Sequence, residues 1–235
     1  MLKVNEINVF YGGLQALSNI SINVQEKEFI AILGANGAGK STLLNTIAGL
    51  LTPKSGSIFF LGEKIDHLPV HNIVRRGLSL IPEEGWLFPQ MSVVENLLMG
   101  MCFLENKSRK KEMIKNVFKI FPRLEERKMQ QAGLLSGGER QMLVIGRGLI
   151  RHPKLLMIDE PSLGIAPKLV IQIFETLREI HKEEKITIIL TEQNVYKALE
   201  LSSRGYVLEN GKIVIRDSSK ELLKSDVIKK KYLSI

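Results

Sequence analysis

The chain has 235 residues, 44% hydrophobic and 25% charged, enough for one compact core with a sub-domain attached. Its single cysteine, Cys102, cannot form an internal disulfide, which suits a reducing compartment. The net charge of +8 is concentrated in "NKSRKKEMIKN" (106–116) and "KKK" (229–231), read as a solvated helix face and a tail. Attraction to an anionic membrane surface is the alternative, and no nucleic-acid partner is expected because no aromatics interleave the charges.

The first residues, "MLKVNEINVFYGG", alternate polar and apolar like a strand and carry no apolar signal-peptide core. Strands are predicted at "KVNEINVF" and "LSNISINVQ", each with one wet face. "FIAIL" (29–33) is a continuous apolar run of strand length, and "STLLNTIAGL" (41–50) has helical spacing ending near Gly49. The nearly charge-free stretch 29–53 is split by Lys40, Gly34, Gly37, Gly39 and Gly49. A membrane span needs about 20 continuous apolar residues, so any membrane contact is expected to be peripheral. "GSIFFLGEKI" predicts a strand pair turning at Gly62-Glu63.

"LSLI" (78–81), "LLMI" (155–158) and "ITIIL" (186–190) are further buried strands. Between the first two lie mostly helical residues, with "SVVENLLMGMCFL" and "KEMIKNVFKIF" the clearest helices and Pro122 marking an end. "YVLENGKIVI" predicts a hairpin with a type I′ turn at Asn210-Gly211. "SSKELLKSDVIKKKYLSI" predicts a C-terminal helix with Leu222, Leu223, Val227 and Ile228 on one side, read as a cap over the core or else a regulatory contact. Buried strands alternating with helices imply an α/β core with a mostly parallel sheet. A smaller N-terminal antiparallel β sub-domain and an inserted helical sub-domain complete the expectation.

"GANGAGKST" (34–42) matches the phosphate-loop pattern through Gly34, Gly39, Lys40 and Ser41, between a buried strand and a helix. Its glycines let backbone N–H groups wrap phosphates. Lys40 is suited to the β- and γ-phosphates and Ser41 to Mg²⁺. "LLMIDEPS" (155–162) is an apolar strand ending in two carboxylates. Asp159 is placed to hold Mg²⁺, and Glu160 to orient and polarise an attacking water. "LLSGGERQ" (134–141) puts Ser136, Gly137 and Gly138 at the start of a helix, with backbone N–H groups expected to be bare and anion-facing. One bound nucleotide needs only the first two elements; the third makes sense if it faces a nucleotide on another subunit.

With "GANGAGKST", "LSGGE" and "LLMIDEPS" in this order, the chain resembles the ATPase subunit of the ATP-binding cassette (ABC) transporter family over essentially its whole length. The resemblance implies a P-loop NTPase of RecA-like core. It implies one ABC ATPase domain, with 1–85 and 150–235 as core plus antiparallel β sub-domain and about 86–149 as helical sub-domain. It also implies two such subunits sandwiching two ATPs, with Ser136, Gly137 and Gly138 serving the partner's nucleotide. Gly34, Ala35, Asn36, Gly37, Ala38, Gly39, Lys40, Ser41 and Thr42 would cradle ATP, and Tyr11 in "VFYGG" would stack on adenine. Glu83 stands where the family usually has a glutamine touching Mg²⁺, so Ser41, Glu83 and Asp159 form the expected metal set. Trp86, Phe88 and Met91 could form part of a groove for a membrane-subunit helix, or be ordinary sub-domain core.

Three departures narrow the resemblance. Gln193, in "LTEQN", holds the family's histidine position and donates a hydrogen bond without carrying a proton; with Glu160 and Lys40 it completes the expected catalytic set. His67, His71, His152 and His181 are read as structural or surface residues. Ala166 replaces an aspartate six residues after Glu160. Together with Glu83 these features resemble the second ATPase of branched-chain amino acid importers, with relatives serving urea or amides. That branch usually has an arginine pair where this chain reads Glu84-Gly85-Trp86. The partners implied are a second ABC ATPase, two permease subunits and a substrate-binding protein, at the cytoplasmic face of the inner membrane. A soluble ABC ATPase is the alternative; such proteins usually carry a coiled-coil insertion or a second cassette, for which this chain has no room. A GTPase is disfavoured because "NKSR" (106–109) lacks the aspartate of a guanine-reading motif.

Overall fold

A computed structural model describes residues 1–101 and 106–230; Cys102, the end of the predicted "SVVENLLMGMCFL" helix and the last five residues lie outside the described residues. In chain order the strands are β1 (Leu2–Tyr11), β2 (Leu14–Val24), β3 (Phe29–Leu33), β4 (Ser55–Phe60), β5 (Glu63–Lys64), β6 (Leu78–Ile81), β7 (Leu155–Asp159), β8 (Thr187–Glu192), β9 (Arg204–Glu209) and β10 (Lys212–Ser218). The helices are α1 (Lys40–Ile47), α2 (Val70–Arg75), α3 (Val93–Met99), α4 (Lys107–Ile120), α5 (Pro122–Glu126), α6 (Gly137–Leu149), α7 (Pro167–Glu184), α8 (Val195–Leu201), α9 (Ser219–Lys224) and α10 (Asp226–Ile228).

Two sheets organise these elements. One is antiparallel, in the order β2-β1-β4-β5; the other has six strands in the order β10-β9-β3-β8-β7-β6. Every pairing in the larger sheet is parallel except that of β9 with β10. Its continuous apolar runs follow from burial on both faces. Phe29, Ala31 and Leu33 of β3 enter one core, packed against α3 to α8. Ile30 and Ile32 enter the other, shared with α1 and the antiparallel sheet, as the two-residue period of a strand requires.

Because β3, β6, β7 and β8 are parallel, their C-terminal ends share one edge, where open α/β sheets bind ligands. Register sets Leu33 beside Glu192 and Asp159 beside Thr191. Arg204 and Tyr206 of β9 tie the larger sheet to Asn23 of β2, and the Glu28 carboxylate holds Arg204 in place. Arg204 Nε and Nη2 meet the Glu28 carboxylate at 2.5 and 2.9 Å. Arg204 also donates to the carbonyl of Asn23, which takes a second bond from the Tyr206 hydroxyl at 3.1 Å.

Three expectations need correction. The turn after β4 is at Leu61-Gly62, one residue earlier than predicted, because these are the positions with positive φ (54° and 85°). The C-terminal segment is two short helices rather than one. Ser225 interrupts them in an extended conformation, so Leu222 and Ile228 are buried while Val227 is 58% exposed. The helix at "SVVENLLMG" stops at Met99, with Gly100 as its C-cap.

Candidate active site

The loop 34–39 joins β3 to α1. Gly39, at φ 106°, is the turn into the helix, and a Cβ there would sit 2.8 Å from Leu17 Cδ2. No side chain caps α1, so the N–H groups of its first turn are available to oxyanions. Lys40 is 3% exposed and lies back across the loop. Its Nζ donates to the carbonyls of Gly34 (2.7 Å) and Ala35 (2.9 Å) and meets Glu160 Oε1 at 3.0 Å.

The neighbouring strands bring the other groups to the same edge. Asp159 ends β7, and its Oδ1 accepts from the Thr191 hydroxyl at 2.5 Å. Glu160 follows with φ 44°, a left-handed conformation costing a non-glycine residue about 1–3 kcal/mol. Its N–H donates to the Thr191 carbonyl and hydroxyl, both at 3.1 Å. Its Oε2 accepts from Gln193 Nε2 at 2.6 Å, and that amide also donates to Asn36 Oδ1. Lys40, Glu160, Gln193 and Asn36 thus form one chain of contacts across three loops. Glu83, two residues past β6, is exposed. Burial, then the negative charges of Glu160, Asp159 and Glu84, push its carboxyl up, against the pull of Lys40.

Such an edge suits a divalent cation, because negative charge accumulates faster than Lys40 offsets it. Among the described residues no three His, Cys, Asp or Glu side chains form a metal cage. The donors expected from the sequence would instead be one hydroxyl, Ser41, with the carboxylates of Asp159 and Glu83. That set matches Mg²⁺, which takes one or two carboxylates and completes its shell with water and phosphate oxygens.

Similarity to known proteins agrees with this geometry. The ABC transporter family profile matches residues 17–163. The "high-affinity branched-chain amino acid transport ATP-binding protein BraG" of Pseudomonas aeruginosa is 45% identical over 99% of both chains. The "probable branched-chain amino acid transport ATP-binding protein LivF" of Archaeoglobus fulgidus is 35% identical over 100% of this chain and 99% of that one. Among solved structures, cbiO1 of Clostridium perfringens, part of the ABC transporter complex cbiONQ, superposes with a TM-score of 0.86 at 30% identity, covering 100% and 95% of the two chains. The chain belongs to the ABC transporter ATPase family.

An ABC ATPase binds and hydrolyses ATP, and the remaining motif residues can be placed against that activity. Tyr11 ends β1, half-exposed, with its hydroxyl 3.4 Å from Thr42 Oγ1, so it stands beside the phosphate loop. Ser136 is the N-cap of α6, and its N–H is not bare as expected. It donates to Glu139 Oε2 (2.9 Å), while Ser136 Oγ accepts from the Glu139 N–H (3.3 Å). In this reciprocal capping box the Ser136 side chain also bonds the Glu139 carboxylate. The N–H groups of Gly137 and Gly138 have no partner among the described residues. Burial would raise the Glu139 carboxyl, but the Ser136 bonds and Arg127, at 2.6 Å, bring it below its ordinary value.

The histidines sit away from this edge: His67 pairs with Asp66, His152 faces Glu184, His181 packs edge-on against Phe29, and His71 is exposed. A cleft of about 390 Å³ between β6, α3 and α6 is lined by Ile81, Phe88, Met99, Val144 and Arg147. Trp86 and Met91, grouped with Phe88 in sequence, do not line it. Trp86 is 63% exposed and donates to Glu84 at 2.6 Å. Ala166 is the N-cap of α7 and supplies no side-chain bond.

The motifs did not reveal three supporting residues. Arg147 of α6 donates to the carbonyls of Gly85 (2.7 Å) and Trp86 (2.9 Å); burial pushes its guanidinium down. Gly211 donates to the Ala38 carbonyl at 2.9 Å, bracing the phosphate loop from the β9-β10 turn. Glu192 is a carboxylate at 1% exposure, closing a fully buried strand. An acid at the end of an apolar strand is itself a legible signal, since a buried charge is costly unless compensated.

Proposed function

We propose that this chain is the ATP-hydrolysing subunit of an importer for branched-chain amino acids, working with a second ABC ATPase, two permease subunits and a substrate-binding protein. The observation that carries the hydrolytic part is the convergence of Lys40, Asp159, Glu160 and Gln193 on one sheet edge. In this reading loop 34–42 and Lys40 hold the ATP phosphates, and Tyr11 stacks on adenine. Glu160 orients and accepts the proton of the attacking water, and Gln193 fixes the Glu160 carboxylate. Ser41, Asp159 and Glu83 would hold Mg²⁺, which when bound supplies charge neutralisation at the phosphates. Ser136, Gly137 and Gly138 face the nucleotide of the partner subunit, acting in trans with the logic of an arginine finger, whose own effect is about 10³–10⁵ in rate.

Cargo and membrane attachment rest on different support. Among the described residues no helix is long and apolar enough to cross a membrane, so attachment runs through permease subunits. The Phe88 cleft is the seat proposed for one of their helices. Full-length similarity to two branched-chain amino acid transport proteins supports the cargo. The decisive experiment deletes the gene and measures uptake of labelled leucine, isoleucine and valine. Complementation should restore uptake with the wild-type chain and not with Glu160→Gln. Unchanged uptake in the deletion strain would overturn the cargo assignment, and competition by urea or amides would name the alternative.

A further inference from the structure

Three consecutive residues at the end of β8 each hold a different part of the turn after β7. Thr191 bonds the Asp159 carboxylate and the Glu160 N–H. Gln193 bonds the Glu160 carboxylate. Between them, Glu192 Oε1 accepts from the Ser162 N–H at 3.2 Å, while its Oε2 accepts from the N–H groups of Gln193 (3.1 Å) and Asn194 (3.4 Å). We propose that Glu192 is a positioning residue for ATP hydrolysis, its single carboxylate fixing the loop after Glu160 and the backbone of Gln193 together.

Strain at Glu160 gives the anchor a task. At φ 44° this residue holds its conformation only if its surroundings over-determine it. On its N-terminal side it is tied by Thr191. On its C-terminal side the loop has its own long bonds, Leu163 N–H to Glu160 O at 3.2 Å and Ile165 N–H to Ser162 O at 3.4 Å, and Leu163 is half-exposed. Among the described residues, the bond from Ser162 to Glu192 is the hydrogen bond that ties this loop to the sheet. Without it, residue 160 can relax and carry its carboxylate away from Lys40 and Gln193.

A hydrocarbon at position 192 would bury without penalty but accept from none of the three N–H groups. Glutamine keeps the volume but presents a donor to one of the two sets. A misplacement of about 1 Å at a reacting group can cost about 10²-fold in rate, which sets the scale of the effect.

The inference rests on Glu160 being the group that orients water, so the test separates the two. Glu192→Gln, Glu192→Asp, Glu160→Gln and the double variant are purified as full chains. Phosphate release, ATP affinity, thermal melting and amide exchange over 159–166 are measured for each. For Glu192→Gln we expect kcat to fall about 10–100-fold with KM for ATP within about threefold. Exchange should quicken over 159–166 and stay unchanged in β3. Glu192→Asp should recover part of the rate, and the double variant should be no slower than Glu160→Gln.

Turnover of Glu192→Gln within twofold of wild type, or unchanged exchange over 159–166, overturns the proposal. So does a joint fall in kcat and melting temperature with Glu192→Asp no better than Glu192→Gln. Should Glu192→Gln not fold, Glu192→Met, which offers the three N–H groups no more than a weak thioether acceptor, decides in its place: wild-type exchange together with wild-type kcat rejects the anchor. Wild-type turnover in Glu160→Gln rejects the reading of Glu160 instead, and leaves the exchange result to judge the anchor.

Discussion

Replacing Glu160 with glutamine is the most informative perturbation of the site. The carboxylate lies between Lys40 Nζ at 3.0 Å and Gln193 Nε2 at 2.6 Å. A glutamine side chain fills the same volume and keeps one acceptor for Lys40. Its amide nitrogen then faces Gln193, which can rotate to present its own oxygen. The fold should therefore lose little, and the phosphate loop should still bind ATP. What is lost is a base, worth about 10²–10⁴ in rate, or about 3–5 kcal/mol in the barrier. Steady-state phosphate release with Mg²⁺, alongside equilibrium titration with ATP, separates the two quantities. We expect turnover to fall by at least about 10² with the ATP dissociation constant within a few-fold. Turnover within a few-fold of wild type would mean that another group activates the water. A joint loss of binding and turnover would mean that the carboxylate serves mainly as the counter-charge of Lys40.

The remaining predictions probe the elements around that group. In Glu160→Gln with ATP and Mg²⁺, sedimentation should detect any dimer closed by the Ser136 loop as one that Ser136→Arg abolishes; a dimer indifferent to Ser136→Arg refutes the trans role. Gly211→Ala places a Cβ 2.2 Å from the Ala16 carbonyl oxygen at φ 73°. It should cost about 2–4 kcal/mol in urea unfolding and weaken ATP binding by releasing Ala38; wild-type affinity would remove the bracing role. Ala166→Asp supplies the cap that α7 lacks and should add about 1 kcal/mol of stability, read as a raised melting temperature. Burial pushes the Glu28 carboxyl up, but its bonds to Arg204 and Gln25 hold it below the usual value. Its contribution, about 1 kcal/mol, is therefore complete above about pH 4.3 and lost as pH falls through the folded value. Glu28→Gln should flatten that acid-side loss, and an unchanged pH profile of unfolding would deny the pair a stabilising role.

The sequence was most legible where one residue type answers one physical demand. The runs 29–33, 155–159 and 187–192 are buried on both faces, and no alternation could hide that. Gly39 and Lys40 were legible because a phosphate loop needs a positive φ and a cation at those places. The turn at Leu61-Gly62 was misplaced because a leucine at φ 54° has no local preference for it; the pairing of β4 with β1 imposes it. Ser225 broke a helix whose apolar spacing continued through it: it ends α9 through its backbone N–H, bonded to the Glu221 and Leu222 carbonyls, with no side-chain cap bond, and apolar spacing carries no sign of such a break.

The site was legible as motifs but not as a network. Lys40, Asp159 and Glu160 each belong to a pattern that names its chemistry, whereas Thr191, Glu192, Arg147 and Gly211 act on residues 30–173 positions away. Such partners are chosen by sheet order. β8 lies between β3 and β7, so whatever ends β8 must face both the phosphate loop and the Asp-Glu turn. A polar "TEQN" after the apolar "ITIIL" could be read as a strand end from sequence alone. Only the parallel register, with Thr191 beside Asp159 and Glu192 beside Leu33, turns that strand end into the clip that holds Glu160 in a conformation it would not keep unaided.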